Sequence, residues 1–442
     1  MANPRKSALK ILLKIENEGA YSNIALNNQL KEDHTTGVDA SFCSALVYGV
    51  LERKILLDYI IRQYTNIRLK KIEKAVLNIL RMGILQIVFM DKVPESAAVN
   101  ESVKLAKTMR FNKASGFING VLRSFIRANC VYKLPDKNTD KAMYYSVVYS
   151  TPKDIVSLWM NSYGEENAVN ILKNLMGRPP VTVRVNTLKT TAEELKNHFE
   201  KSGVKVEKTV IDNALLLSCT GAIENTQEYK RGLFHVQDVS SQLCCSILDL
   251  QENMTVYDFC SAPGGKAFTM AQLMNNTGKI NAYDMYDHKI KLIKNGAYRL
   301  GIKNIEASVR NALNDKPLPL ADRILCDVPC SGLGIIRRKP EIRYKDDLGL
   351  NQLPDIQYNI LCKCAKYLKS GGKLVYSTCT LNPNENENNI KRFLSEHSDF
   401  QPLKINLKDD IINKISSMDN AVTIFPQKNG SDGFFISLLI KK

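Results

Sequence analysis

The sequence predicts a multidomain protein that combines an all-α N-terminal domain, an α+β region and a C-terminal α/β domain. Three observations support this fold class. The chain has 442 residues, which is too long for one ordinary hydrophobic core. Its apolar residues follow helical spacing from Ser7 to about Arg127. From about Gln242 onward, short apolar runs alternate with amphipathic segments, a pattern typical of a mostly parallel sheet covered by helices.

The first region, residues 1–132, is predicted to be entirely helical. Ala8, Ile11, Leu12 and Ile15 recur at the i, i+3, i+4, i+7 positions that lie on one face of a helix. The polar stretch "PDKNTDK" that follows is predicted to be a linker, because it has neither helical nor alternating apolar spacing.

The other two regions are predicted to contain strands. Residues 142–240 join a helix-like segment to the alternating stretches "PVTVRVNTL" and "ALLLSCTG", which predicts an α+β region. Residues 241–442 contain the apolar runs "TVYDF", "KINAYD", "NIEASV", "DRILCDV" and "KLVYSTC", each followed by a polar or helical segment. These runs are predicted to be the strands of the α/β sheet.

Composition narrows the class of protein. Hydrophobic residues make up 44% of the chain and charged residues 24%, and no apolar run is long enough to cross a bilayer, so we expect a soluble protein. Charged residues interrupt the N-terminal stretch where a secretory signal would need an apolar run. Eleven cysteines without a CxxC pair are typical of the reducing cytoplasm. With only five histidines as well, no metal site is expected.

The charge of the chain points to a polyanionic partner. The formal net charge is +16, and residues 1–150 hold 15 Lys and 8 Arg against 13 acidic residues, so the basic excess is concentrated in the first third. Basic proteins bind nucleic acids because neutralised phosphates release their counterions. A lysine-rich solvated surface is the alternative explanation for the total charge.

A glycine turn predicts a ligand site. The stretch "CSAPGGKAF" connects the strand "TVYDF" to a helical segment, and glycines at such a turn let a ligand approach the backbone. Asp284 ends the next strand, where an acid typically accepts hydrogen bonds from ribose hydroxyls. The glycine patterns of NAD and ATP sites are absent from this turn, which favours S-adenosylmethionine. Taken alone, a structural turn followed by a surface aspartate is an equal alternative.

Two cysteines differ from the others by their position. Asp327 and Cys330 follow one predicted strand and Cys379 ends another, and ligands of open α/β sheets bind at the carboxyl ends of the strands. Because buried cysteines more often pack than react, a packing role is predicted for Cys43, Cys130, Cys219, Cys244, Cys245, Cys326, Cys362 and Cys364.

Several blocks resemble a known family. "DFCSAPGGK", "CDVPCSGLG", "RRKPEIR", "YSTCTLNPNENE" and "DGFF" resemble, in order, the signature blocks of the RNA cytosine-C5 methyltransferases of the RsmB/Nop2/Sun group. "LVYGVLERKILLDYII" and "GFINGVLRSFIR" resemble the RNA-binding domain of the NusB antitermination factor. The resemblance implies a Rossmann-like class I methyltransferase domain that uses S-adenosyl-L-methionine, preceded by a NusB-like domain. This fusion is typical of the RsmB/Sun branch, which modifies bacterial small-subunit rRNA.

The resemblance also implies roles for single residues. Cys379 is the implied nucleophile, Cys330 is implied to assist release, and Asp327 is implied to contact the base and the cofactor. The implied cofactor-binding residues are Cys260, Ser261, Ala262, Pro263, Gly264, Gly265, Lys266, Asp284, Asn311 and Asp327. Asn311 stands where the family commonly has an aspartate, so we expect altered rather than abolished cofactor binding.

The stretches "VRVNTLK" and "FHVQDVSSQL" resemble the RNA-recognition extension of the same family. The implied RNA-binding residues are Arg184, Asn186, Gln237, Arg337 and Arg338, although a solvated surface role is the alternative for any single basic residue. The implied partner is small-subunit ribosomal RNA, with a cytosine of the 967 type as target, and the implied oligomeric state is a monomer without a membrane partner. The alternatives are a tRNA or 23S rRNA methyltransferase and a non-catalytic ribosome assembly factor.

Overall fold

The structure is a computed structural model that describes residues 3–218, 223–314, 316–345, 348–406, 414–427 and 430–442. The chain forms two compact units. The first holds the chain up to Gly177 together with a later segment that begins at Ile336, and the second holds Arg178–Ile335 and the chain after that segment. The boundaries of these two units differ from those of the three predicted domains. The predicted domain boundaries stay predictions. Within the described ranges, no helix is long and apolar enough to span a bilayer.

The first unit is helical, as predicted. Its helices are α1 (Pro4–Glu18), α2 (Ser22–Glu32), α3 (Gly37–Gln63), α4 (Lys74–Phe89), α5 (Glu95–Thr108), α6 (Ser115–Arg127), α7 (Lys141–Val148) and α8 (Lys153–Asn174), with short 3₁₀ turns at Leu69–Lys71, Asn112–Ala114 and Pro340–Tyr344. Helix α8 has a kink at Gly164, where φ is +80°.

Helix α1 shows why this region folds as the sequence predicts. The Asn3 side chain accepts hydrogen bonds from two free backbone N–H groups at the start of the helix, and Gly19 ends it with a positive φ of 64°. The predicted apolar face of α1 is at most 8% exposed and joins a core shared with α3, α4 and α6. One buried cation, Arg81, is compensated in this unit by Asp58 at 2.7 Å and Glu16 at 2.8 Å.

The second unit begins with a small antiparallel sheet. Its elements are β1 (Val181–Val185), α9 (Ala192–Lys201), β2 (Lys205–Lys208), β3 (Ala214–Ser218), α10 (Gln227–Lys230) and β4 (Phe234–Val236). The strand order is β2-β3-β1-β4, and the alternating residues Val183 and Val185 pack against Leu195 and Phe199 of α9. The predicted α+β region is confirmed.

A larger sheet fills the rest of the second unit. Its elements are α11 (Val239–Ser246), β5 (Thr255–Asp258), α12 (Gly265–Leu273), β6 (Lys279–Asp284), α13 (Asp287–Leu300), β7 (Ile305–Val309), β8 (Ala321–Asp327), α14 (Leu353–Ala365), β9 (Leu368–Thr378), α15 (Glu387–Glu396), β10 (Phe400–Pro402), β11 (Lys414–Met418), β12 (Ala421–Ile424) and β13 (Phe434–Lys441). The strand order is β11-β12-β13-β9-β8-β5-β6-β7, with β10 beside β13.

The five predicted strands are β5 to β9, and they pair with one another in parallel, which confirms the Rossmann-like α/β fold. The antiparallel strands β10 to β13 extend the sheet beyond the prediction. The chain order reverses at β5, because β6 and β7 lie on one side of it and β8 and β9 on the other. Such a reversal opens a crevice at the carboxyl ends of the central strands, where ligands of these sheets bind.

Candidate active site

The loop after β5 forms a tight turn that leads into α12. Gly264 has a φ of +105°, its N–H donates to the Ser261 carbonyl at 2.7 Å, and a Cβ there would lie 2.6 Å from the Phe268 ring. Only glycine fits this position, both for its conformation and for its space. A Cβ at Gly265 would meet nothing closer than 3.8 Å, so the space beside the helix N-terminus is open. Pro263 is exposed, and Cys260 is half-buried.

Asp284 lies beside this turn, as the sequence predicts. It is 7% exposed at the end of β6, and its carboxylate accepts from the Ala262 N–H at 3.4 Å. The Lys289 ammonium lies 3.3 Å from its other oxygen. A free helix N-terminus, an open glycine turn and a neighbouring carboxylate together suit the amino-acid and ribose parts of S-adenosylmethionine.

Asn311 follows the next strand of the sheet, two residues beyond β7. Its side chain is exposed, and Oδ1 accepts from the Leu313 N–H at 2.9 Å in a local turn. The Arg310 N–H donates to the Asp284 carbonyl at 2.9 Å, which ties this loop to the end of β6. A contact of Asn311 with the cofactor stays a prediction.

A buried acid that the sequence analysis missed ends the central strand β5. Asp258 is 1% exposed, and the Ser261 hydroxyl and the Cys260 N–H face its carboxylate as donors. Burial raises its pKa to about 7, because the charged form loses its hydration. The hydroxyl of Ser261, in the glycine turn, is buried, and its interaction with the carboxylate opposes this rise. The position of this acid in "YDF", directly before the glycine turn, is the sequence feature that could have indicated it.

Asp327 ends β8 and is held from two sides. Lys266 donates to Oδ2 at 2.7 Å, and the Ser377 hydroxyl donates to Oδ1 at 2.8 Å. Burial alone would lower the pKa of Lys266, but the Asp327 charge raises it above the ordinary value, so the lysine keeps its proton. The ammonium also lies 5.2 Å from the centroid of the Phe434 ring. The carboxylate is therefore oriented before any ligand binds.

The two cysteines singled out in the sequence meet at the ends of adjacent strands. The sulfur atoms of Cys330 and Cys379 are 3.2 Å apart, within hydrogen-bond distance. The Gly334 N–H donates to the Cys379 carbonyl at 3.0 Å and ties the two loops together. A Cβ at Gly334 would lie 2.8 Å from the Cys379 carbonyl oxygen and 2.0 Å from the carbonyl oxygen of Gly433 before β13, so these close approaches require glycine.

The two thiols are not equivalent. The hydrogen bond with Cys379 and burial raise the pKa of Cys330 well above its usual value. Two thiolates at this distance would repel each other, so Cys330 keeps its proton. A protonated Cys330 can donate to a Cys379 thiolate, and the thiolate is the reactive form of cysteine.

Three of the predicted RNA-binding residues are buried in the second unit. Arg184 donates to the Asp212 carbonyl at 2.9 Å, and Asn186 donates to the carbonyls of Gly232 and Leu300. The bond to Leu300 connects the small sheet to α13. Gln237 accepts from a threonine hydroxyl of α12 at 2.6 Å. Each of these side chains is hydrogen-bonded within the protein. Their contact with RNA stays a prediction.

Arg337 and Arg338 belong to the first unit, whereas Asp327 and both thiols belong to the second. Arg337 is 5% exposed and Arg338 is half-buried. RNA binding by these arginines stays a prediction. Cys219 lies outside the described residues, and within those residues no group of three or more His, Cys, Asp or Glu side chains could hold a metal ion.

Three family models match the chain. The model described as 16S rRNA methyltransferase RsmB/F matches residues 245–440, and the NusB family model matches residues 2–127. The ferredoxin-like domain of RsmF/B-like methyltransferases matches residues 151–224. Together the matches cover both units.

Two of the similar proteins match almost the whole chain, and a third matches two thirds of it. A Bacillus subtilis (strain 168) protein named "Probable ribosomal RNA small subunit methyltransferase B" is 37% identical, over 99% of this chain and 98% of the relative. The crystal structure of PH0851 has a TM-score of 0.84 at 23% identity and covers 99% of both chains. The crystal structure of NSun6 from Pyrococcus horikoshii, solved with the S-adenosylmethionine analogue SFG, has a TM-score of 0.60 at 23% identity. It covers 66% of this chain and 98% of its own.

Proposed function

Because the chain belongs to the RsmB/F family of rRNA methyltransferases, we propose that it methylates C5 of a specific cytosine in small-subunit rRNA through a covalent intermediate. The protein is an S-adenosylmethionine-dependent methyltransferase that acts on rRNA. The proposal adds three points: that the target base is cytosine, that the methylated atom is C5, and that the reaction passes through a covalent intermediate. The observation that carries it is the 3.2 Å separation of the Cys330 and Cys379 sulfurs beside the glycine turn.

The chemistry explains why two thiols are needed. C5 of cytosine is a poor nucleophile, but addition of the Cys379 thiolate to C6 gives an enamine whose C5 is nucleophilic. S-adenosylmethionine supplies an electrophilic methyl group. A base must then take up the C5 proton, and the electrons of that C–H bond restore aromaticity as the Cys379 thiolate leaves C6. Cys330 lies close enough to Cys379 to exchange a proton during this release.

Asp327 has a physical role in the addition step. Its carboxylate can accept a hydrogen bond from N4 or protonated N3 of the cytosine, which stabilises the charge that develops when the thiolate adds. Lys266 and Ser377 hold the carboxylate in place. A donor or acceptor that is oriented in advance stabilises a transition state without a cost of reorganisation.

The cofactor would bind along the turn after β5. The backbone of Cys260 to Gly265 and the helix N-terminus would face its carboxylate, Asp284 would accept from its ribose, and Asn311 would lie toward its adenine. The buried Asp258 interacts with the Ser261 hydroxyl and the Cys260 backbone, which would help to hold the turn in place for a ligand.

The RNA substrate must present C6 of an unstacked base. Extrusion of a stacked cytosine costs a few kcal/mol, so a loop or an immature small-subunit rRNA is the expected substrate, with the cytosine 967 type as the target. The basic first unit supplies phosphate binding. In this proposal the protein works as a monomer in the bacterial cytoplasm, and Arg184, Asn186, Gln237, Arg337 and Arg338 contribute to RNA recognition.

The test is transfer of labelled methyl groups into protein-free small-subunit rRNA that lacks the modification. We expect wild type to label 5-methylcytosine and Cys379→Ala to give no label. Cys362→Ala is the matched control, because Cys362 is a half-buried thiol of α14 in the same unit, and it should retain activity. An active Cys379→Ala enzyme would contradict the covalent mechanism.

Two other outcomes separate the alternatives. Label that enters only tRNA or large-subunit rRNA would assign a different substrate to the same chemistry. A protein that binds rRNA but neither S-adenosylmethionine nor its analogues would be an assembly factor. Equilibrium binding of the cofactor, measured by calorimetry on the same preparation, distinguishes these cases.

A further inference from the structure

Glu385 is a fully buried acid in the loop between β9 and α15, with an exposed fraction of 0%. Its Oε1 accepts from the Ser331 hydroxyl at 2.5 Å and from the Asn382 amide at 3.0 Å. Its Oε2 accepts from the Ser331 N–H at 2.9 Å and from the Gln357 amide at 2.8 Å. Four donors surround this one side chain.

These bonds join the two loops that carry the thiols. Ser331 directly follows Cys330, and its hydroxyl also lies 2.6 Å from the hydroxyl of Thr380, which directly follows Cys379. Gln357 of α14 donates to the Pro329 carbonyl as well, at 2.9 Å. Glu385 therefore binds the Cys330 loop at its backbone and its side chain.

The four hydrogen-bond donors around Glu385 are best satisfied by a carboxylate. An ionised glutamate only accepts hydrogen bonds and has room for about four, whereas glutamine would direct its NH₂ group at two donors. A buried charge is costly unless it is hydrogen-bonded on all sides. The arrangement therefore maintains a negative charge next to the backbone of Cys330.

We propose that Glu385 is a positioning residue that gives the two thiols different roles. Its hydrogen bonds hold the Cys330 loop against Cys379, and its carboxylate accepts from the N–H of Ser331, which directly follows Cys330. Cys330 consequently keeps its proton, and Cys379 is the thiol that attacks. The proposal deepens the proposed function and rests on it for the meaning of these two roles.

The electrostatics agree with this assignment. After the Cys379 hydrogen bond and burial, the Glu385 charge is a further cause that raises the pKa of Cys330. Tyr376 of β9 donates to the Glu385 carbonyl at 2.6 Å, and burial raises its pKa, so it is neutral. Gln357 and Asn389, which face the network from α14 and α15, carry no charge. On the Asp327 side, Lys266 compensates the negative charge.

The experiment measures the reactivity of each thiol without RNA or cofactor. Full-length wild type and Glu385→Gln are treated with iodoacetamide over a range of pH, and the initial rate at Cys330 and Cys379 is read separately by peptide mass spectrometry. In wild type, we expect Cys379 to react at least about tenfold faster than Cys330 near neutral pH, since tenfold corresponds to one pKa unit. In Glu385→Gln, we expect the rate profile of Cys330 to move to lower pH and the ratio to fall at least about tenfold.

Glu387→Gln is the matched control. Glu387 is also a buried acid, two residues away, but it accepts from the Thr423 hydroxyl at 2.8 Å and is not bonded to the Cys330 loop. It should leave the reactivity ratio unchanged. Glu385→Asp keeps the charge and should keep Cys379 as the faster thiol.

Three results would overturn the proposal. These are a wild-type protein in which Cys330 is the faster thiol, a folded Glu385→Gln protein with an unchanged ratio, and an equal change in Glu387→Gln. Even if Glu385→Gln does not fold, the wild-type measurement still tests whether Cys379 is the more reactive thiol. A normal thiol ratio in a protein without methyl transfer would support the assignment of Glu385 and contradict the proposed function instead.

Discussion

At the scale of single residues, the release role of Cys330 predicts a trapped intermediate. Cys330→Ala should complete addition and methyl transfer but leave the RNA attached through Cys379. We expect a protein–RNA adduct that survives denaturing electrophoresis and is about tenfold or more abundant than with wild type, since Cys330 would normally supply the release step. Cys379→Ala and the double variant should give no adduct. Equal adduct levels with Cys330→Ala and wild type would rule out the release role.

Asp258 predicts a pH dependence of stability. Burial raises its pKa to about 7, whereas an aspartate in the unfolded chain titrates at about 3.9. The folded protein thus holds this proton more tightly, and the resulting stabilisation is full below about pH 4 and lost as the pH rises through about 7. The asparagine of the Asp258→Asn variant cannot ionise, so this loss of folding stability should be absent in that variant.

Urea unfolding at about pH 5 and about pH 8 checks the prediction. The free energy of unfolding of wild type should fall more between these pH values than that of Asp258→Asn, by on the order of 1 to 3 kcal/mol. Identical pH slopes for the two proteins would show that Asp258 is ionised when folded. The comparison cancels the contributions of other groups, because both proteins share them.

At the scale of elements, the close contact of the loops after β8 and β9 predicts the effect of Gly334→Ala. The new Cβ would meet the Gly433 carbonyl oxygen at 2.0 Å and the Cys379 carbonyl oxygen at 2.8 Å, so the loops must separate. Displacing catalytic groups by about 1 Å can cost about a hundredfold in rate, and we expect methyl transfer to fall by about this factor. Gly120→Ala in α6 meets nothing within 4 Å and is the control, with unchanged activity.

At the scale of the whole molecule, the charge distribution predicts how RNA affinity depends on salt. The exposed Lys70 and Lys71 lie on a short turn of the basic first unit. If both contact phosphates, the double change to Gln should reduce the slope of log affinity against log salt by about two. Filter binding of rRNA at several salt concentrations measures the slope. Lys391→Gln on α15 of the second unit is the control, and a larger change there would contradict the prediction.

Much of the fold could be predicted because local sequence specifies it. The face of α1 follows from a helical period, and the runs that form β5 to β9 follow from short apolar segments between turns. The antiparallel extension β10 to β13 was missed, because strand direction depends on pairing with distant residues. That the segment beginning at Ile336 belongs to the first unit was also missed, because it depends on contacts with residues far away in the sequence.

The candidate site was predictable in part. Asp327, Cys330 and Cys379 could be singled out because they follow predicted strands, and the parallel sheet brings those strand ends to one edge. Asp258 and Glu385 were missed, because their significance comes from burial by other elements and from the number of hydrogen-bond partners. Neither quantity has a period or spacing along the chain.

The sequence by itself determined the type of each domain, the glycine turn and the identity of the two thiols, since these depend on residue chemistry and short-range periodicity. Only the tertiary structure decided that the thiols lie 3.2 Å apart and that Glu385 is bonded to one loop of the pair. It also decided that Asp258 is buried. Distances and local dielectric arise when distant segments pack, and they control which thiol is protonated.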